Sequence, residues 1–248
     1  MYLMLQSELV TGIARELQAA ITSEQSARLT VARRVDSAAQ DAYLKGRSLF
    51  ASFATTGDPK YLDASIAQFE QATRIDPMYA PSQAGLAWSY MTATVGSTRP
   101  PKDTFPKARI AALRAVELDD RLAAAHATVA GLFLWFDWNW SGAAREIQRA
   151  LQLNPDSVDA LTVSEMYTTL VSGNLDETTR TFQRIIDVDP LNPFSRVQPM
   201  WVSLNAGRYD DTIAPGKTLV ELQRHNIMGP WFLASAYAAK RMRPEVVT

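Results

Sequence analysis

Few side chains in this sequence could carry covalent or acid–base chemistry. There are two histidines, His126 and His225, and no cysteine. A histidine acting as general base or metal ligand needs a second group at a matching spacing. His126 falls on a helical face turned toward neighbouring helices, and His225 follows a helix end, so both are read as structural. The acidic clusters Glu117-Asp119-Asp120 and Asp187-Asp189 fit no calcium loop and are expected to be solvated. The absence of cysteine excludes disulfides, thiolate metal sites and cysteine nucleophiles. No glycine-rich phosphate loop and no nucleophile elbow is present. The expectation is a non-enzymatic chain without metal or cofactor. The chemistry that remains is recognition: six tryptophans and eight tyrosines, the residue types that dominate interface energetics.

The elements that must position these rings follow from a repeat. Ala143 to Pro155 reads AAREIQRALQLNP, an amphipathic helix halted by a proline. Versions of it recur at Ser65–Pro77, Arg109–Asp120, Thr178–Pro190 and Thr212–Arg224. A small or apolar residue holds one position (Ala72, Ala115, Ala150, Ile185, Leu219). The stop comes five residues later, at Pro77, Asp120, Pro155, Pro190 and Arg224. The steps between stops are 43, 35, 35 and 34 residues. A fixed period near 34 is the signature of a helical repeat array. Gly57-Asp58-Pro59 sets a turn followed by an N-cap and an N1 proline, and Gly173 and Gly207 suit helix ends. Thr94 to Asp103, with its glycine and two prolines, reads as a loop about nine residues longer than the period allows. Leu134 to Trp140 (LWFDWNW) stands at the third turn; Trp138 and Trp140 could staple that hairpin or form an exposed contact patch, and the staple is favoured.

Residues 1–40 stand apart from the period. Leu5, Leu9, Ile13 and Leu17 make one stripe of an amphipathic helix, followed by a polar linker at residues 30–40. This helix is either a cap on the first repeat or the end of a domain that precedes it. Residues 41–248 hold the repeats, about five and a half of them, ending in half a unit. An uncapped end predicts fraying beyond about residue 225, or dimerisation through it. A formal net charge of −1 and scattered arginines give no reason to expect nucleic acid. No stretch of about 18 apolar residues exists, so no membrane span is expected, and a cytoplasmic location is the working expectation.

Leu86, Ala87, Tyr90, Ala108, Ala115 and the Pro77, Pro155 and Pro190 stops resemble the tetratricopeptide (TPR) repeat across residues 41–248. The resemblance implies an all-α, right-handed superhelical solenoid of antiparallel helix pairs. Departures are Thr178 and Thr212 for the usual alanine, Gly216 for a large residue and Arg224 for proline. DAYLKGR at Asp41, IDPMYAPSQAGLAWSY and ELDDRLAAAHATVAGLFLWFDWNWSGAAREIQRALQLNP are similar to the repeat region of bacterial class III adenylate cyclases, winged-helix transcriptional activators and TPR-containing kinases. That likeness implies the interaction part of a longer signalling protein. In such repeats the first helix of each hairpin lines the concave face, which places Trp88, Trp135, Tyr167, Trp201 and Trp231 there as candidate partner-binding residues. Aromatics at helical spacing are more often core. The basic and asparagine clamp that some of these repeats use on a C-terminal carboxylate is missing. The functional expectation is a protein–protein interaction or scaffold module that docks a peptide or partner segment on the concave face. The alternative is a ligand-sensing repeat domain that passes a change of curvature to an attached effector.

Overall fold

The computed structural model describes residues 35–95, 99–189, 197–222 and 228–240. The chain divides into two units, residues 1–37 and 38–248. The amphipathic helix expected near residues 3–20, His225, and the stops at Pro190 and Arg224 lie outside the described residues. Among the described residues the chain forms helices and no strand. They are α1 (Ser37–Thr56), α2 (Pro59–Ile75), α3 (Ala80–Val95), α4 (Pro101–Leu118), α5 (Ala123–Leu132), α6 (Trp140–Leu153), α7 (Val158–Tyr167), α8 (Leu175–Val188), α9 (Gln198–Asn205), α10 (Tyr209–Leu222) and α11 (Met228–Ala239). α3–α4, α5–α6, α7–α8 and α9–α10 pair as hairpins, each packing also on the one that follows, and α11 packs against α10 and α9; α1 and α2 are joined by the Ser65–Gly46 hydrogen bond and the Tyr43–Phe69 ring contact. This is an all-α helical solenoid.

One register position holds each hairpin together. Ser65, Ala108, Ala143, Thr178 and Thr212 stand at the same distance before the repeat stop and are all fully buried. Where the residue carries a hydroxyl, the backbone satisfies it. Ser65 Oγ donates to the carbonyl of Gly46 on α1 at 2.9 Å, and Thr178 donates to Asn174 at 3.0 Å. The threonines that depart from the alanine pattern therefore keep its burial without leaving a polar atom unbonded. Phe69 of α2 is the large counterpart. It fills the space beside Gly46 and Gly85, where a Cβ would stand 2.8 and 2.5 Å from its ring.

The stops are built from more than proline. Asp76, Asp119, Asn154 and Asp189 each close a helix by donating their N–H to the carbonyl of the small or apolar residue four positions back, at 2.9–3.1 Å. The side chains of Asp76, Asp119 and Asn154 then accept the N–H two residues on, from Met78, Arg121 and Asp156, at 3.0–3.1 Å. The first residue past each of these helices thus ends one hairpin and aims the next, a local hydrogen bond typical of Asp and Asn. Asp119, expected to be merely solvated, has this second role.

Three further expectations change. Helix α1 begins at Ser37, inside the stretch read as linker. Half of the loop expected at Thr94–Asp103 is helix. α3 runs to Val95 and α4 starts at Pro101, whose ring suits the first helical position; Arg99 between them is tied to Asp63 of α2 at 2.7 Å. At the third turn, α5 runs into a π-helical turn, Phe133–Asp137, and α7 into another, Thr168–Ser172. Each ends in a left-handed residue. Gly173 takes this conformation at φ 65°, whereas the third hairpin uses Trp138, at φ 52°, at a cost of about 1–2 kcal/mol for a residue with a Cβ. Trp138 is 71% exposed and Trp140 47%. Their rings meet edge to face at 6.3 Å, a surface patch and not a staple. Phe136 does the stapling, stacked on Phe105 of α4 at 4.4 Å, with Arg109 over Phe105 and paired to Asp137.

Candidate partner-binding surface

The five aromatic residues fall into three groups. Trp88 on α3 and Trp135 in the π-turn after α5 lie 5.6 Å apart with their planes tilted by 45°. Both are half-buried against the core of the second and third hairpins. Gly131 on α5 leaves room for the Trp88 ring, 3.4 Å from where its Cβ would be. Trp201 on α9 and Trp231 on α11 stack at 5.8 Å with an interplanar angle of 18°. They are 41% and 46% exposed, and both meet the buried Phe232 edge to face. Tyr167, the last residue of α7, joins neither pair. It lines an open cleft of about 480 Å³ between α6 and α7, with Ile147, Leu151, Gln148, Ser164 and Glu177 among its neighbours.

The first helices also carry charge. Arg47 on α1 donates to Tyr43 Oη at 3.3 Å. Burial opposes its charge, but Asp159 at the start of α7, then Tyr43 and Asp189, outweigh burial and raise its pKa. Burial in turn raises the Asp159 carboxyl against the pull of Arg47. On α3, burial raises the Tyr90 phenol, reinforced by its 2.5 Å bond to Glu70. Tyr79 is pushed up to about 12 by burial. None of these groups forms a nucleophile–base pair, and no group of three metal-ligating side chains occurs among the described residues. His126 is buried between Glu146 Oε2 on α6, 2.6 Å from Nδ1, and the carbonyl oxygen of Asp120, which accepts from Nε2 at 2.8 Å. It ties α5 to α6, the structural role its helical face suggests. No helix among the described residues is long and apolar enough to cross a membrane.

Solved structures share this architecture. A thermophilic TPR protein of Thermus thermophilus superposes with a TM-score of 0.60 at 16% identity, over 81% of this chain and 100% of its own. A subunit of an APC/C hetero-tetramer superposes with a TM-score of 0.57 at 14% identity, over 82% of this chain and 41% of its own. A tetratricopeptide repeat protein from Parabacteroides merdae gives 0.50 at 16% identity, over 81% of this chain and 74% of its own. The fold is TPR-like. No family model matches the sequence, and no curated protein matches it.

The TPR-like register exposes one residue that the sequence reading passed over. Ala87 and Ala130, one residue before Trp88 and three before Phe133, are fully buried at the eighth position of their units. In the fourth unit that position is Glu165, 1% exposed. Taking Val158 as the first position of the unit marks Glu165 as the eighth, an acid at a helix contact that holds alanine in the two preceding units.

Proposed function

We propose that this chain is a non-catalytic protein-interaction module that docks a peptide or a partner segment along its first helices, on the concave face of a TPR-like array. The observation that supports it most directly is the Trp201–Trp231 stack. Two large rings on successive first helices stay more than two-fifths exposed while braced from below by Phe232. Rigid, amphipathic rings held open in this way are the usual anchors of an interface. Trp88, Trp135 and Tyr167 extend the surface toward earlier units. The module is the regulatory or scaffold region of a bacterial signalling protein, a reading that rests on the segments similar to cyclase and activator repeat regions. The repeat domain begins with α1, and the residues before it act as a separate leading segment.

The test is capture from host lysate by the wild-type chain and by a Trp201→Ala/Trp231→Ala variant, each shown to be folded by circular dichroism. A partner held by the wild type and lost by the folded variant supports the proposal. Undiminished capture by the variant overturns the assignment of these rings. A second reading, a ligand-sensing repeat domain, draws on the cleft beside Tyr167. Its volume of about 480 Å³ is within the range of small-molecule sites.

A further inference from the structure

Glu165 sits in the wrong chemical surroundings for a carboxylate. It lies on α7, which packs against α5, α6 and α8, and it is 1% exposed. Oε1 accepts the hydroxyl of Thr169 at 2.8 Å. Oε2 is buried and has no hydrogen-bond partner. A carboxylate left with an unbonded oxygen in such a place is costly, and the neutral acid far less so.

The helices around α7 offer no charge to compensate. On α5, His126 is bound to Glu146 of α6 and to the backbone. The other charged groups of α6, Arg145 and Arg149, lie outside the buried contact, as do Asp176, Glu177, Arg180, Arg184 and Asp187 of α8. The buried side chains of α8 at this level are Thr178, Phe182 and Ile185. Thr178 spends its proton on the carbonyl of Asn174, with Thr169 Oγ 3.3 Å away. On α7 itself Asp159, six residues before Glu165, is drawn to Arg47. Burial pushes the Glu165 carboxyl up to about 7, against the smaller opposing effect of the Thr169 bond.

We propose that Glu165 is a proton-operated latch of the fourth hairpin. Neutral, its carboxyl keeps α7 seated against α5 and α8; ionised, its unbonded oxygen draws water into the junction and the α7–α8 hairpin opens locally. One feature assigns the device to this hairpin: its eighth position holds a buried acid where the second and third hairpins hold Ala87 and Ala130. Helix α7 gives way, three residues after Glu165, to the π-turn Thr168–Ser172, as α5 does three residues after Ala130, so the acid and not the turn sets this hairpin apart. Tyr167 lies between the two, so opening moves the cleft wall. The proposal concerns the array alone and does not depend on a partner.

The experiment is amide hydrogen exchange on the full chain at pH 6 and pH 8, corrected for intrinsic rates, for the wild type and Glu165→Gln. In the wild type, protection across residues 158–188 falls by tenfold or more on going to pH 8, while residues 80–118 keep theirs. In Glu165→Gln both regions stay constant. An equal response of both proteins at residues 158–188 overturns the latch. Should Glu165→Gln not fold, Glu165→Ala, which restores the residue of the preceding hairpins, takes its place. A carbon-13 titration of the wild-type carboxyl needs no variant: a midpoint in the ordinary glutamate range overturns the proposal, and one near neutrality supports it.

Discussion

Replacing Gly85 by alanine tests the closeness of the first two hairpins, because two effects of known sign oppose each other there. Gly85 lies inside α3, where alanine is the better helix former by about 1 kcal/mol. On propensity alone the substitution stabilises. The added Cβ, however, would stand 2.5, 2.7 and 3.0 Å from three ring atoms of Phe69. That ring is fully buried, and it is held from the other side by α1, where a Cβ on Gly46 would stand 2.8 Å from it. With nowhere to retreat, the ring or α3 must shift, and overpacking of this kind costs about 1–3 kcal/mol. Gly85→Ala is therefore expected to destabilise by up to about 2 kcal/mol. In a Phe69→Leu background the two closest ring atoms are gone and the same substitution should stabilise by about 1 kcal/mol. A double-mutant cycle by urea unfolding, followed through circular dichroism and tryptophan fluorescence, reads a coupling of about 1–3 kcal/mol. Stabilisation by Gly85→Ala in the wild-type background, or a coupling below about 0.5 kcal/mol, refutes the reasoning.

Glu165 makes stability depend on pH in an unusual direction. Its folded value near 7 lies above the ordinary 4.5, so ionisation is resisted in the folded state. Stability relative to Glu165→Gln is highest below pH 4.5, falls as pH rises toward 7 and levels off above it. The total is about 3 kcal/mol, most of it read as the difference in urea unfolding free energy between pH 5 and pH 8. His126→Ala leaves Glu146 and the Asp120 carbonyl without their shared partner and should cost about 1–3 kcal/mol, measured as a lowered urea midpoint. Asp76→Ala removes the acceptor of the Met78 N–H at a buried cap and should cost about 1 kcal/mol, with the denaturant m-value unchanged.

The hairpins were legible because proline, small residues and turn glycines obey local rules. The helices α2 and α6 close just before Pro77 and Pro155, although Pro106 and Pro215 stand inside α4 and α10, and Gly57, Gly173 and Gly207 hold the left-handed turns with no help from distant residues. What escaped depends on partners far along the chain. The prolines at 100 and 101 read as loop, yet Pro101 opens α4 at the position a proline ring suits, with Thr104 meeting Thr94 of α3 one turn on. A π-turn adds one residue within an unbroken apolar pattern, so periodicity could not show that Phe136, and not Trp138, would turn inward. Of the five candidate rings, Trp88, Trp201 and Trp231 stand on first helices and Tyr167 ends one, whereas Trp135 lies in the π-turn after α5. The sequence could not yield their pairing, since Trp88 meets Trp135 and Trp201 meets Trp231 only through hairpin stacking. Thr178, Thr212 and the residue at position 165 blur the repeat signature, in keeping with a chain that no family model matches and whose backbone superposes on TPR structures all the same.

The capped ends of α2, α4 and α6 carry a consequence for how such an array can vary. The segments that lead into the next hairpin are residues 76–79, 119–122 and 154–157, identical in length and each bound by the same cap. The junctions inside hairpins differ: the turn at residues 96–100 is longer than that at residues 57–58, and α4 is longer than α6, which together take up most of the irregular 43-residue step. The two kinds of connection tolerate change unequally. A residue gained within a hairpin alters one unit, whereas a residue gained between capped units re-indexes every unit downstream. Lineages of this chain should therefore lengthen and shorten at the inner turns while the outer segments keep time. An engineer grafting a tag, a loop or another domain should cut at the same places.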